Sequence, residues 1–190
     1  MTIRHLPASG YDARPWKNGT GTTDEICLLP KGANREDFSL RVSRAPIADP
    51  GAFSSCPGMD RVITVIEGNG LTLDFGAQVA NLAPEEPFRF DSGLTPVGAP
   101  TEGPLRVVNV MASRSEWMIS AVRIVAGSAD LPADHLTVVF ALRGVWRITD
   151  ATATVTLHPH DTALSDASAR LVPEGAAAAA LLVSLGPGAG

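Results

Sequence analysis

The chain has 190 residues, 45% hydrophobic and 18% charged. That is enough apolar material for a core and too little charge for a disordered chain, and the length fits one domain or two small fused halves. A net charge of −5, with no run of Lys or Arg, argues against a nucleic-acid partner, because phosphate binding needs a concentrated cationic face. The longest apolar run, Ala176 to Val183, is far short of the ~18 residues of a membrane span, and the N-terminus lacks the apolar stretch of a signal peptide. The expectation is a cytoplasmic protein with no membrane partner.

In chain order, Trp16-Lys17-Asn18-Gly19-Thr20-Gly21-Thr22-Thr23 gathers an indole, a cation, an amide, two glycines and hydroxyls before a short strand. A plain turn needs one Gly or an Asn-Gly; it does not need Trp-Lys in front. Phe38-Ser-Leu-Arg-Val-Ser-Arg44 then alternates strictly, so Leu40 and Val42 share one strand face while Ser39, Arg41 and Ser43 share the other. An arginine flanked by serines suits a lumen in which a guanidinium takes a carboxylate bidentately, although a surface ion pair is the commoner fate. Next, Gly51-Ala-Phe53-Ser-Ser-Cys-Pro57-Gly58-Met-Asp-Arg61 turns into a further strand. Phe53 is expected to pack and Arg61 to lead into that strand.

The rest of the chain reads as short β segments cut by 18 Gly and 15 Pro. They are RVITVIEG from Arg61, GLTLDF from Gly70, RVVNVMA from Arg106, ISAVRIV from Ile119, LTVVFAL from Leu136, GVWRIT from Gly144, TATVTLH from Thr152 and AALLVSL from Ala179. The Ala176–Ala180 tract invites a helix, but its flanks favour a strand. Cys27 and Cys56 form neither a CxxC motif nor a disulfide framework; they read as reduced, buried or half-buried thiols with no His close in sequence.

An internal repeat organises these segments. Glu67-Gly68 falls on Arg143-Gly144, Leu82-Ala-Pro-Glu-Glu on Leu157-His-Pro-His-Asp, and Leu105-Arg-Val-Val-Asn on Ala180-Leu-Leu-Val-Ser. Each unit reads strand, Gly turn, strand, then a Pro-x-acidic turn, a pattern that resembles the cupin core with the middle Gly of its Pro-Gly-Asp turn replaced both times. The expected fold is all-β: a bicupin of two packed cupin-like jelly-roll barrels from an internal duplication, residues 1–112 and 113–190.

A cupin metal site needs an HxH pair, a carboxylate and a further His. The first repeat has no His between Arg61 and Arg106, and His158-Pro-His160 falls in a turn with no His after it. No metal and no other cofactor is expected. A GxSxG elbow is absent, and Lys17 with Gly19 and Gly21 has neither the order nor the spacing of a phosphate loop.

WKNGTGTTDEI, FSLRVSRAPI, GAFSSCPGMDRVITVIEGNGLTL and LRVVNVM occur in order over Trp16–Met111 and together resemble the HutD/Ves family. Thr20 stands in place of the middle Gly of the family's WKNGGGTT, and Val108 where an acidic residue usually precedes NVM. The resemblance implies a metal-free bicupin protein of histidine utilisation, thought to limit flux by binding urocanate or N-formylglutamate. The expected site is Trp16, Lys17, Asn18, Arg41, Ser43, Phe53, Arg61, Glu67 and Asn109, with no catalytic residue assigned. Arg41 and Arg61 would hold the carboxylate of a small-molecule ligand, Lys17, Asn18 and Ser43 would add hydrogen bonds, and Trp16 and Phe53 would wall the pocket. Glu67 accepts an N–H if it faces inward and is a hairpin residue if it faces out. A metal-independent isomerase or hydrolase using Glu67 or Lys17, and a protein–protein module with a vestigial pocket, stand as alternatives. A homodimer is compatible with all three.

Overall fold

The computed structural model describes residues 3–15 and 21–188, so the expected site residues Trp16, Lys17 and Asn18 lie outside the described residues. β1 (Arg4–Leu6), β2 (Asp12–Pro15), β3 (Thr22–Leu29) and β4 (Leu40–Ile47) precede the two-residue β5 (Gly51–Ala52). Then come β6 (Met59–Glu67), β7 (Leu71–Asp74), β8 (Val79–Leu82), β9 (Phe88–Asp91), β10 (Val97–Pro100) and β11 (Leu105–Ser113). β12 (Trp117–Val125), β13 (Ala129–Leu131), β14 (Leu136–Thr149), β15 (Thr154–Leu157), β16 (Thr162–Ser165) and β17 (Ala169–Pro187) complete the chain. No α-helix occurs among the described residues.

Two compact units divide the chain between 117 and 118, where the sequence suggested 112 and 113. The stretch up to Tyr11 belongs with Met118–Pro187 rather than with the unit it precedes. The cause is β1, whose Arg4, His5 and Leu6 pair antiparallel with Leu164, Ala163 and Thr162 of β16.

The unit of Asp12–Trp117 contains a six-stranded sheet, β2-β3-β4-β11-β6-β9, and a four-stranded sheet, β5-β10-β7-β8. Period-two alternation sends Ile63, Val65, Phe90, Leu105 and Val107 of the first sheet towards Leu71, Leu73 and Leu82 of the second, and these eight form one core. Phe75, Phe88 and Phe90 close its side, with ring centroids 5.5–6.3 Å apart. Full burial of each such side chain contributes about 1.5–3 kcal/mol.

The other unit is one seven-stranded sheet, β1-β16-β14-β17-β12, with β13 on β17 and β15 on β14. Its hydrophobic cluster centres on Trp146, Ile148, Leu157, Leu171 and Leu182, with Thr137, Asp161, Thr162, Ser165 and Ser184 buried in the same unit. The segments read as separate strands at Leu136 and Gly144 are one bent strand, β14, because Gly144 adopts φ 72° inside a bulge and lets the chain turn without leaving the sheet. The Ala tract lies within β17, paired to Ala141 and Arg143. All three sheets have free ends in their strand order, so the pairing describes open sheets rather than closed rings.

Positions matched by the sequence repeat share local geometry. Gly68 and Gly144 both have positive φ, and a Cβ on either would lie 2.7 Å from the Cβ of a facing residue, Leu105 or Ala178. That pairing aligns Leu105 with Ala178, two residues earlier than the sequence alignment placed it. Glu85 and His160, the middle residues of the two Pro turns, both occupy the left-handed region at φ 61° and 71°. Their amides donate to Val65 O and Ala141 O, and the next residue in each turn, Glu86 or Asp161, accepts the amide three residues back.

Asp161 is the more deeply anchored of the two acids, 5% exposed. Its Oδ1 accepts the Ala8 amide at 2.7 Å, and its Oδ2 accepts the His158 amide and contacts His5 Nε2, each at 3.0 Å. Burial alone would raise this carboxyl, but the Ala8 and His158 amides, followed by His5, outweigh it and hold it below the ordinary carboxylate value. A folded value below the unfolded one, about 4, means that the stabilisation is complete above that pH and is lost as pH falls through the folded value. Asp161→Asn is expected to cost about 2 kcal/mol at pH 7, with a smaller difference below pH 4, read by urea unfolding at both.

Candidate functional site

The inward face of the six-stranded sheet changes character along its length. Register sets Ala45, Val107 and Val65 in one row and Ser43, Asn109 and Ile63 in the next. One row further, Leu28, Arg41, Met111, Arg61 and Phe90 lie across five strands. One end of the face is therefore apolar core, and the other carries two arginines, a serine and an amide. Two strand spacings put Arg41 and Arg61 roughly 9.5 Å apart at the backbone, with Met111 between them.

The two arginines have different partners. Arg41 forks onto Glu25, its Nε to Oε1 at 2.8 Å and its Nη2 to Oε2 at 3.0 Å. Arg35, from the loop before β4, adds Nε to Glu25 Oε2 at 2.9 Å. Glu25 reaches this face because of a bulge in β3: Glu25 opposes Ser43 and Cys27 opposes Val42, which leaves Ile26 as the extra residue. Without that residue Glu25 would point to the opposite face, where Asp24 instead accepts Arg44 at 2.8 and 2.9 Å. A surface cleft of about 610 Å³ opens beside this pair and is lined by Glu25, Leu28, Asn34 and Arg35 among others.

Arg61 is 6% exposed and, among the described residues, meets no carboxylate. Its Nε donates to Ser92 Oγ at 3.1 Å and its Nη2 to Ser54 O at 3.4 Å. The guanidinium carbon lies 5.3 Å from the Phe53 ring centroid and 5.6 Å from that of Phe90. Burial, above all, lowers its pKa to about 10; the Arg41 charge pushes the same way, against a hydrogen bond and charge interaction with Cys56. In the neighbouring row Asn109 is 8% exposed, and its Oδ1 has no hydrogen-bond partner among the described residues.

Of the residues singled out in the sequence, the fold therefore brings Arg41, Ser43, Phe53, Arg61 and Asn109 to one end of one face. Glu67 is not among them: it is half exposed on the hairpin, 3.8 Å from Arg106, which is the outward alternative. Sequence reasoning missed Glu25, Arg35 and Ser92. The adjacent acids Asp24-Glu25 inside a strand were the available signal for the first; nothing local marks the Ser92 hydroxyl.

Three of the four histidines lie around Asp161, whose Oδ2 meets the His5 ring and the His158 amide, with His160 next to it in the chain. His5 meets Asp161, His135 meets Asp134 at 2.9 Å, and the His160 ring stacks on Phe140 at 5.9 Å. Among the described residues no three potential metal ligands cluster, so these side chains do not fit a cupin-type metal set.

The sequence pattern of the HutD family matches residues 8–183. Protein Ves of Citrobacter koseri is 33% identical over 150 residues, covering 78% of this chain and 74% of that one. The structure of HutD from Pseudomonas fluorescens SBW25 in a formate condition superposes with a TM-score of 0.81 at 27% identity, over 98% of this chain and 100% of that one. A conserved protein of unknown function from Pseudomonas aeruginosa PAO1 gives 0.86 at 27% identity, with the same coverage. A cupin 2 conserved barrel domain protein from Leptotrichia buccalis gives 0.56 at 10% identity, over 87% of this chain and 88% of that one, which supports a cupin-like fold alone.

Proposed function

The chain belongs to the HutD family, and from that premise we propose that it is a metal-independent carboxylate-binding protein that regulates histidine catabolism. The observation that carries this reading is the buried Arg61 guanidinium with no carboxylate beside it among the described residues. An unpaired buried charge is costly enough that protein interiors rarely keep one without a partner, and a ligand anion supplies that partner. The Arg41 charge is already met by Glu25, so in this reading it shapes the field around the ligand, and Arg61 is the anchor.

Asn109 narrows the ligand class. An amide oxygen buried without a donor among the described residues favours a ligand that brings an N–H or O–H as well as its carboxylate. Urocanate, with its ring N–H, and N-formylglutamate, with its amide N–H, both satisfy this, whereas formate brings a carboxylate alone. Phe53 and Phe90 offer aromatic walls to a planar ligand. The whole chain is read as a bicupin, its two units arising by duplication. The shared geometry of the two Gly turns and the two Pro turns supports this. In this reading the unit of Asp12–Trp117 binds, because it carries the buried Arg61 and Asn109.

The test is thermal shift with urocanate, N-formylglutamate, histidine and formate. A ligand at about a hundred times its Kd contributes ~2.7 kcal/mol, roughly 5–10 °C for a chain of this size. Urocanate or N-formylglutamate is expected to exceed formate, and Asn109→Leu to shrink that advantage. No response to any carboxylate would sink the reading.

A further inference from the structure

Gly98 is a glycine that its own backbone does not require. It lies within β10, paired to Leu73 of β7 and Gly51 of β5, and unlike Gly68 or Gly144 it has no positive φ. Extended strand accepts any residue, and glycine there gives up packing and adds chain entropy. The position is buried and faces the core, since its register partner Leu73 is one of the eight residues between the two sheets of this unit. The reason for glycine is the Phe53 ring. A Cβ on Gly98 would stand 2.5 Å from Phe53 Cε2 and 3.3 Å from Cδ2, while the next atom, Leu71 Cδ1, is at an ordinary 3.5 Å. The ring therefore fills the volume that a side chain at 98 would take. The same ring stands at the buried cation, its centroid 5.3 Å from Arg61 Cζ. Phe53 cannot retreat along the chain, because its amide donates to Pro96 O at 3.0 Å, two residues before Gly98. Arg61 belongs to the facing sheet, where its Nε is held by Ser92 Oγ. A side chain at 98 would thus drive the ring off β10 and towards that sheet, into the space over the guanidinium.

We propose that Gly98 is a positioning residue that sets the size of carboxylate the site admits: its missing side chain seats the Phe53 wall back against β10 and keeps room over Arg61. Which ligands enter rests on the carboxylate-binding reading above, whereas the seating of the ring does not. A methyl at 98 moves the wall and leaves the guanidinium its Ser92 bond. A bare carboxylate then still reaches Arg61, and one that carries a ring or an acylamino chain meets the displaced Phe53. Selectivity is in this way decided on the four-stranded sheet, by a residue that touches no ligand itself.

Two measurements on the full chain test this. Calorimetric titration with formate, urocanate and N-formylglutamate compares Gly98→Ala with the wild type, and the same change in a Phe53→Leu background. Gly98→Ala is expected to weaken urocanate and N-formylglutamate by about tenfold or more and formate by no more than about twofold, with no loss once residue 53 is leucine. Without ligand, the Arg61 Nε–H resonance, identified as the signal lost in Arg61→Met, lies in the ring currents of Phe53 and Phe90. It is expected to move in Gly98→Ala and to stay in place when the same change is made in Phe53→Leu. Equal losses for all three ligands, a loss that persists in Phe53→Leu, or an unmoved resonance would each overturn the proposal. If Gly98→Ala alone does not fold, the double variant is expected to fold, and its failure to do so overturns the proposal equally. Where the wild type responds to no carboxylate, the functional reading fails and the resonance still decides where Gly98 seats the ring.

Discussion

Replacing Arg61 with methionine is expected to remove the carboxylate response while leaving the unliganded protein no less stable. Two effects oppose each other in the unliganded protein. Methionine removes a guanidinium whose burial, uncompensated by a carboxylate among the described residues, costs several kcal/mol. The same change strips the buried Ser92 hydroxyl of its donor, about 1–3 kcal/mol, and ends the contacts with Phe53 and Phe90. In the complex nothing offsets the loss, since a ligand carboxylate buried without its cation forfeits about 2–5 kcal/mol, which is a factor of roughly 30 to several thousand in affinity.

Arg41→Met is expected to behave in the opposite sense. It strands Glu25, 8% exposed at its side chain, with Arg35 alone, and breaking a buried pair from one side costs about 3 kcal/mol. The two arginines face each other across one row of the sheet, so only their partners differ. Urea unfolding and calorimetric titration of both variants measure the contrast. An Arg61→Met protein that still binds, or that unfolds as readily as Arg41→Met, contradicts the assignment of Arg61 as the anchor.

Gly68→Ala and Gly144→Ala are each expected to cost about 3–4 kcal/mol. Part of this is backbone strain, since φ of 99° and 72° is left-handed, a region that costs an alanine about 1–2 kcal/mol. The remainder is steric. The new methyl would stand 2.7 Å from Leu105 Cβ in the first case and 2.7 Å from Ala178 Cβ in the second, with backbone atoms only slightly further away. Relief requires the paired strand to move, at the 1–3 kcal/mol typical of overpacking. Gly76 separates the two contributions, for its φ is 84° and nothing lies within 4 Å of where an alanine methyl would stand. Gly76→Ala should therefore show the strain alone, and denaturant unfolding of the three variants gives the steric share by difference. Equal costs at all three positions would remove the close approach as the reason for glycine at the two turns.

Much of the architecture is legible in the chain itself, for a local reason. The start of the strand Leu40–Ile47 shows its two faces through period-two alternation, which needs no partner to define it, and β-branched runs such as that in Met59–Glu67 mark a strand without showing a face. The Gly turns and Pro turns are legible because left-handed backbone favours few residue types, and even the unusual Glu85 and His160 stand where the repeat put a special conformation. What misled was continuity. The sequence around Gly144 looks like two strands, yet a bulge keeps it in one.

The candidate site divides along the same line. From the sequence alone came the pairing of Arg41 with Ser43 on one face, the aromatic Phe53 and the lead-in position of Arg61. Tertiary structure alone decided which arginine is neutralised, because Glu25 and Arg41 meet only through a register between β3 and β4 shifted by one bulged residue, Ile26. It also decided that Ser92, 31 residues from Arg61, supplies the hydroxyl that accepts its Nε–H. Side-chain alternation is a property of a single strand, whereas the balance of charge in an interior depends on where distant strands stop sliding past each other.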